Sequence, residues 1–385
     1  MKLTALNISY TLSKHGPPRF PERAHGPVEE IHVTPYARSA AVRVARRTTV
    51  GAGVKALVTG GLGFVGVHVM RVLLDAGHSV VSLDRDHPGE AHRRFLRGVE
   101  HRVQHLRADL TTPSAAWQDL VGEPDVVVHT AAVTPLAPGE ELASATTAVA
   151  VNVAATVEVL EVAAALGAPR IVHVSSGSVY GVPQGDLAAA PALLESSPLA
   201  PRTVYGITKA AADRLAQRYD ELGACEVVVA RLAQPYGPME RTTSSRSALS
   251  PVHDWAAAAL AGKPLEVESG CLDRGRDYLF VGDVAQALVA LAVASSLPHR
   301  VYNVSNGVRT TLREVHDAVV AAVGDTGTAE GRVNLPGEAE RPVLSPARLT
   351  ADTGWSATTG LEDGLAATLN WLRGSQRLTG SGVRE

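Results

Sequence analysis

Val58-Thr59-Gly60-Gly61-Leu62-Gly63-Phe64-Val65-Gly66 is the stretch on which the fold turns. It closes the apolar run Ala56-Leu57-Val58 and opens Val67-His68-Val69-Met70-Arg71-Val72-Leu73-Leu74, whose apolar positions suit a buried helix. The order is strand, glycine turn, helix. Glycines at 60, 63 and 66 let a pyrophosphate approach the backbone N–H groups at the helix start, those of Phe64 and Val65 included, where aligned peptide dipoles favour negative charge. Three spaced glycines alone are a weak sign, because glycines recur in loops; the context has to carry the rest.

Outward from this turn, strand and helix patterns alternate. Ser79-Val80-Val81-Ser82-Leu83 is predicted as the second strand, after Gly77 stops the first helix, and Val103-Gln104-His105-Leu106 as the third. Asp125-Val126-Val127-Val128-His129 is the fourth, a nearly continuous apolar run of the kind a parallel strand covered on both faces requires. A long Ala/Val/Leu helix over 142–167, a fifth strand Arg170-Ile171-Val172-His173-Val174, a helix over 203–222 and a sixth strand from Cys225 to Arg231 come next. This alternation predicts the α/β class, a doubly wound parallel sheet with right-handed crossovers. After Pro235 the pattern is irregular, with short helices such as Val252–Ala261 and Leu361–Leu372. The expected division is a dinucleotide-binding domain over 54–234, to which 276–306 returns, and a smaller C-terminal α/β substrate lobe from 235–275 and 307–373. Gly374 to Glu385 is expected to be a frayed tail.

Residues 1–53 differ in character from the rest of the chain. Pro17, Pro18, Pro21, Pro27 and Pro35 are scattered among Arg, His and Gly without a sustained apolar period, so this segment is expected to be disordered or loosely attached. Arg38, Arg43, Arg46 and Arg47 succeed one another without acids, as in targeting segments, yet the uninterrupted apolar core of a signal peptide is missing. Alternatively Val54 marks the working start and residues 1–53 are an upstream extension.

Composition bounds the function. Of 385 residues, 45% are hydrophobic and 19% charged, which fits a soluble protein with a large core. A net charge of −3 provides no electrostatic footprint for nucleic acid or for a membrane surface. Cys225 and Cys271 form no CxxC pair and have no His cluster at zinc spacing, so neither a disulfide framework nor a metal is implied, and a reducing cytoplasm fits. No apolar run is expected to reach the roughly 18 residues that span a bilayer.

An acidic residue should come after the glycine turn at the end of the second strand, to accept hydrogen bonds from ribose hydroxyls. Asp84 stands there. A carboxylate at that point repels a 2′-phosphate and so favours NAD over NADP; Arg85 next to it leaves NADP open, because a guanidinium pairs with phosphate. Asp109 in Arg107-Ala108-Asp109-Leu110 is placed either to meet the adenine edge or to cap a turn.

Tyr205 and Lys209 stand four residues apart on a predicted helix and share a face. A tyrosine hydroxyl, with an unperturbed pKa of about 10, is a poor base at neutral pH. A neighbouring ammonium favours the phenolate and makes the tyrosine a usable acid/base. Read alone, this pair is commonly surface decoration. Ser175-Ser176-Gly177-Ser178-Val179-Tyr180-Gly181 raises its significance, because it lies at the C-terminal end of the fifth strand, the edge at which open α/β sheets bind ligands.

Together these residues resemble the extended short-chain dehydrogenase/reductase family, in particular its NAD-dependent sugar epimerase/dehydratase branch. The likeness covers 54–373. Besides the motifs above it takes in His129-Thr130-Ala131-Ala132, Val151-Asn152-Val153, Arg231 to Pro238, Arg276 to Ala285, Tyr302-Asn303 and Gly354-Trp355. The resemblance implies a Rossmann domain with Gly60, Gly63, Phe64, Val65, Gly66, Asp84, Arg85, Asp109, Leu110, Ala131 and Ala132 around the cofactor. It makes Ser176 the catalytic Ser/Thr, Tyr205 the acid/base, and Lys209 the residue that binds the nicotinamide ribose and lowers the tyrosine pKa. Arg276 is nominated to contact the nucleotide diphosphate of the substrate, and Ser178 to line the sugar site.

Departures narrow the reaction. Relatives that eliminate water carry Asp-Glu just after the catalytic Ser/Thr, and those that decarboxylate a uronic acid carry Glu two positions after it; here Gly177 and Ser178 occupy those places. What remains is hydride and proton transfer. A nucleotide-sugar 4-epimerase is expected, with Tyr205 taking the proton of the sugar 4-hydroxyl while C4 gives its hydride to NAD, which later returns it to the other face. An NAD(P)-dependent sugar or alcohol dehydrogenase, in which NADH leaves, is the alternative, and a non-catalytic dinucleotide sensor a third. In the loop from Gly237 to Arg246, Arg241 and Arg246 are candidates to grip a phosphate or carboxylate of the substrate. The family's usual Arg-Pro-Gly-Asp survives only as Arg341-Pro342-Val343-Leu344, which puts the standard diphosphate grip in doubt. By resemblance, a homodimer through the helices at 142–167 and 203–222 is expected.

Overall fold

The strand β1 (Lys55–Thr59) is apolar toward both sides, and both sides are used. In the computed structural model, which describes residues 53–114, 117–134, 141–182, 190–331, 333 and 340–380, Ala56 and Val58 pack into one apolar layer and Leu57 into another. β4 (Val126–His129), β5 (Arg170–Ser176) and β6 (Glu226–Leu232) repeat the split, with Val128, Val172 and Val228 on the first side and Val127, Ile171 and Val229 on the second. Side chains alternate across a strand, so a sheet covered on both faces needs continuous apolar runs.

With β2 (Ser79–Asp84), β3 (Val103–Arg107) and β7 (Val301–Val304), these strands form a seven-stranded sheet of order β7-β6-β5-β4-β1-β2-β3. All neighbours are parallel. This is the doubly wound α/β Rossmann sheet. Its order reverses between β1 and β4, where the carboxyl ends of the strands leave a crevice. One face is covered by α1 (Phe64–Asp75) and α5 (Val281–Val293), which pack on each other. The other face is covered by α2 (Ala145–Ala165) and α3 (Val204–Glu221). A third apolar cluster joins α4 (Pro251–Leu260), α6 (Leu312–Val323) and α7 (Leu361–Gly380) through Trp255, Val315 and Leu369.

Val301–Val304 returns to the sheet beside β6, with Val304 opposite Leu232. Three expectations need correction. The long helix begins at Ala145 and contains a π turn at Ala150–Ala154, which turns Asn152 inward. The buried Asn152 carboxamide bonds both backbone groups of Val133 and also Thr208 Oγ. Ala145–Ala165 is also long and apolar enough to cross a membrane by length and composition, contrary to the reading of the sequence; here it lies against the sheet and α3. Finally, the helix expected to end at Leu372 continues to Gly380. Trp371 holds it, with Arg94 stacked 3.5 Å above its ring and Phe95 at its edge. The reading of residues 1–53 falls, apart from Gly53, outside the described residues.

Candidate active site

The glycine turn closes where it does because no side chain fits. Gly60 has φ of +66°, and a Cβ there would lie 2.7 Å from the Ala131 backbone; a Cβ on Gly66 would lie 2.2 Å from Gly60 O. Above it opens a cleft of about 190 Å³. Gly60, Gly63, Phe64, Val65 and Gly66 line it together with Ala131 and Ala132, and Asp84, Arg85, Asp109 and Leu110 join them from the ends of β2 and β3. The first-turn amides of α1 have no carbonyl within the helix to bond, which suits them to a pyrophosphate. Shape and donors thus fit a dinucleotide.

The acidic end is partly committed. Asp84 Oδ2 accepts from Leu62 N at 3.0 Å, bracing the turn, and Oδ1 accepts from Asp86 N at 3.2 Å. Asp109 accepts from Thr111 N at 2.9 Å and from Thr111 Oγ at 2.7 Å, which holds its carboxyl below the usual range. Of the two roles open to Asp109, the described bonds are those of a turn cap. Arg85 reaches across to the hydroxyl of Ser244.

The loop from Gly237 to Arg246 runs over the same cleft. Arg241 donates to Leu62 O at 2.7 Å and contacts His92 Nε2 at 2.8 Å, while Thr134 N donates to Ser245 O at 2.9 Å. Arg241 therefore lines the cofactor cleft, where the Leu62 carbonyl holds its guanidinium. Arg246 borders both this cleft and the next. It stacks 5.0 Å over the Phe64 ring and pairs with the fully buried carboxylate of Glu240, which also accepts from Ser250 N at 2.8 Å and Ser250 Oγ at 2.7 Å.

The second cleft, about 100 Å³, contains Ser176, Ser178, Tyr205, Lys209, Gln234 and Arg341. β5 runs on to Ser176, whose Oγ accepts from Ser178 N at 3.1 Å and caps the short helical turn beyond it. Thr203 caps α3 by accepting from Gly206 N at 3.0 Å, which sets the first turn carrying Tyr205. Tyr205 and Ser176 line this cleft together. Burial raises the phenol pKa; the Ser176 hydroxyl and the guanidiniums of Arg341 and Arg246 draw it back. Lys209 lines the same cleft. Its Nζ donates to Val174 O at 2.6 Å, and burial brings its own pKa down to about 8.

Arg276 is buried in an adjoining recess, with Nη1 on Gln234 Oε1 at 3.3 Å, and Arg341 borders that recess too. Beneath the cleft lies a buried polar network. Asp213 accepts from Ser175 Oγ at 2.8 Å and from Arg231 Nε at 2.9 Å, Arg231 Nη1 donates to Tyr180 Oη at 2.9 Å, and Tyr180 donates to Asn303 Oδ1 at 2.7 Å. His129 and His173 stack beside it, ring centres 5.5 Å apart. Sequence reasoning missed Gln234, Glu240 and Asp213, and it treated Arg341 as a departure although the Arg-Pro pair was the available signal.

The model of the NAD dependent epimerase/dehydratase family matches residues 56–305. The chain belongs to this family. Among curated proteins it is similar to the UDP-glucose 4-epimerase of Mycolicibacterium smegmatis, 29% identical over 320 residues, covering 83% of this chain and 98% of that one. It is similar as well to the dTDP-glucose 4,6-dehydratase of Streptomyces niveus, 28% identical over 326 residues, covering 82% and 92%. Among solved structures, MoeE5, crystallised with UDP-glucose and NAD and again with UDP-glucuronic acid and NAD, superposes with a TM-score of 0.70 at 28% identity. The first of these matches covers 84% of this chain and 99% of that one. This epimerase/dehydratase-family member is an NAD-dependent enzyme.

Proposed function

We propose that the chain is a nucleotide-sugar 4-epimerase. The observation that carries this reading is the lining of the second cleft: Ser176, Tyr205, Lys209 and two arginines, and no Asp or Glu among its described lining residues. Removing water from a sugar needs an acid to protonate the departing hydroxyl, and positioned carboxyl groups do such work. This cleft offers the proton chemistry of one hydroxyl only. NAD, held in the cleft lined by Gly60, Gly63 and Asp84, would supply the hydride acceptor and donor. Ser176 orients the sugar hydroxyl, Tyr205 takes its proton and restores it, and Lys209 supplies the positive charge that favours the phenolate.

The dehydrogenase alternative requires the reduced cofactor to leave at every turnover. Against it stands the loop bonded to Leu62 and Thr134 over the cofactor cleft. We assign substrate binding to the lobe of 235–275 and 307–373, with Ser178 and Arg276 contributing, and dimerisation to the outer faces of α2 and α3, where Val149 and Ile207 are exposed. The free Cys225 and Cys271 suit a reducing cytoplasm.

The test is absorbance at 340 nm together with product analysis over a panel of nucleotide sugars. The expected result is a product isomer without net NADH. Stoichiometric NADH would establish a dehydrogenase instead. Tyr205→Phe should lower turnover about 10²–10⁴-fold while sparing NAD binding; unchanged turnover would mean that another group moves the proton.

A further inference from the structure

The loop from Gly237 to Arg246 is tied to the elements that build the cofactor cleft. His68 on α1 donates from Nε2 to Pro238 O at 2.9 Å, Arg241 donates to Leu62 O, and Arg246 lies over the Phe64 ring. Beyond β4, Ser245 O accepts from Thr134 N at 2.9 Å and from Thr134 Oγ at 3.1 Å, and Arg85 after β2 donates to the Ser244 hydroxyl. Leu62, Phe64, Arg85 and Thr134 line the cleft, and so do Arg241 and Ser245 of the loop itself.

One carboxylate sets the shape of this loop. The Glu240 side chain has 0% exposure and binds Arg246 and Ser250, the latter through its N at 2.8 Å and its Oγ at 2.7 Å. Ser250 Oγ also caps α4 by accepting from His253 N at 3.2 Å, so the carboxylate joins the loop to the start of that helix. The residue before it, Met239, has φ of +67°, a left-handed backbone that is costly for a residue with a side chain. Glu240 itself lines neither cleft.

We propose that Glu240 is a positioning residue: it latches the loop over the cofactor cleft and thereby sets how fast the dinucleotide leaves. A buried carboxylate stripped of its partners is expensive, so Glu240 and Arg246 hold each other in place. When the pair parts, Arg246 leaves Phe64, Met239 relaxes from its left-handed backbone, and the loop lifts from Leu62 and Thr134. The proposal rests on NAD binding alone, so its failure and that of the epimerase reading are separate events.

The experiment follows the release of labelled NAD from the loaded enzyme after dilution into excess unlabelled NAD, with no sugar present. Glu240→Gln should release it about 10- to 150-fold faster than wild type, the range for hydrogen bonds to a charged group. Ser250→Ala removes one bond and leaves the carboxylate on Arg246, so its rate should fall between the two. Val315→Ala, which opens a gap in the third apolar cluster, is the control for lost stability. It should lower the melting temperature and leave the release rate unchanged. A Glu240→Gln rate equal to wild type overturns the proposal. So does an equal acceleration in Val315→Ala, which would make the effect one of general stability. Should Glu240→Gln fail to fold, hydrogen exchange of Ser250→Ala decides. With NAD bound, its amides over 239–246 should exchange faster than those of wild type; equal exchange overturns the latch.

Discussion

Lys209 Nζ lies 2.6 Å from the carbonyl oxygen of Val174, so the ammonium is anchored to the strand that ends in Ser176. Burial lowers its pKa to about 8, and Asp213 pulls the other way. Strand and ammonium are thus joined at the lining of the cleft.

This anchoring gives the reaction a pH dependence. Above about pH 8 Lys209 loses its proton, and the phenolate loses its supporting charge. The expected kcat/KM profile falls on its alkaline limb near that pH. Lys209→Met should cut turnover about 100-fold or more and remove the limb. Stability moves the other way. Between about 8 and the ordinary value of 10.5 the unfolded chain binds more protons, so the cost of burying Lys209 shrinks as pH rises. An alkaline limb that persists in Lys209→Met would place the titration on a different group.

Asp213 and Arg231 are both buried, at 0% and 3% side-chain exposure. Removing one partner strands the other, which typically costs about 3–5 kcal/mol. Asp213→Ala should destabilise by that amount in urea unfolding. Asp213→Leu combined with Arg231→Met should recover most of it, because no buried charge is then left alone. A double variant as unstable as the single one would show that the network's neutral bonds, to Tyr180 and Ser175, dominate.

His173 is fully buried and neither ring nitrogen has a hydrogen-bond partner; burial and the nearby Lys209 hold its pKa well below 6.5. His129, pushed down to about 3, behaves likewise. Below pH 6.5 the unfolded chain therefore binds protons that the folded chain refuses, and stability falls as pH falls. His173→Leu should flatten the dependence between pH 5 and 6 by about 1.4 kcal/mol per unit. Parallel slopes for variant and wild type would contradict a neutral buried imidazole.

What was legible in the sequence is what local spacing encodes. The run Asp125 to His129 announces a strand buried on both faces, Gly60 to Gly66 a turn too tight for side chains, and Tyr205 with Lys209 a shared helix face. Spacing does not say where a long side chain ends. Lys209 shares a face with Tyr205 yet gives its proton donors to Val174, and Arg241 sits in the expected loop yet turns to Leu62. Arg341 was harder still, because its place depends on Leu344 meeting Asp277 and Leu193, contacts between distant segments that no periodicity records. The π turn at Asn152 has a similar cause: a carboxamide drawn inward by Val133 and Thr208, not a helix breaker.

The pairing of β7 with β6 matters for how the chain is made. On the ribosome, Ser176, Tyr205 and Lys209 all emerge before β6, yet the outer edge of β6 has no strand to pair with until Val301–Val304 has been synthesised. That edge runs through Val229, Ala230, Arg231 and Leu232, all buried in the finished protein. A nascent chain that stalls between Leu232 and Val301 therefore carries the whole catalytic set and, with it, a bare apolar strand that invites pairing with other chains.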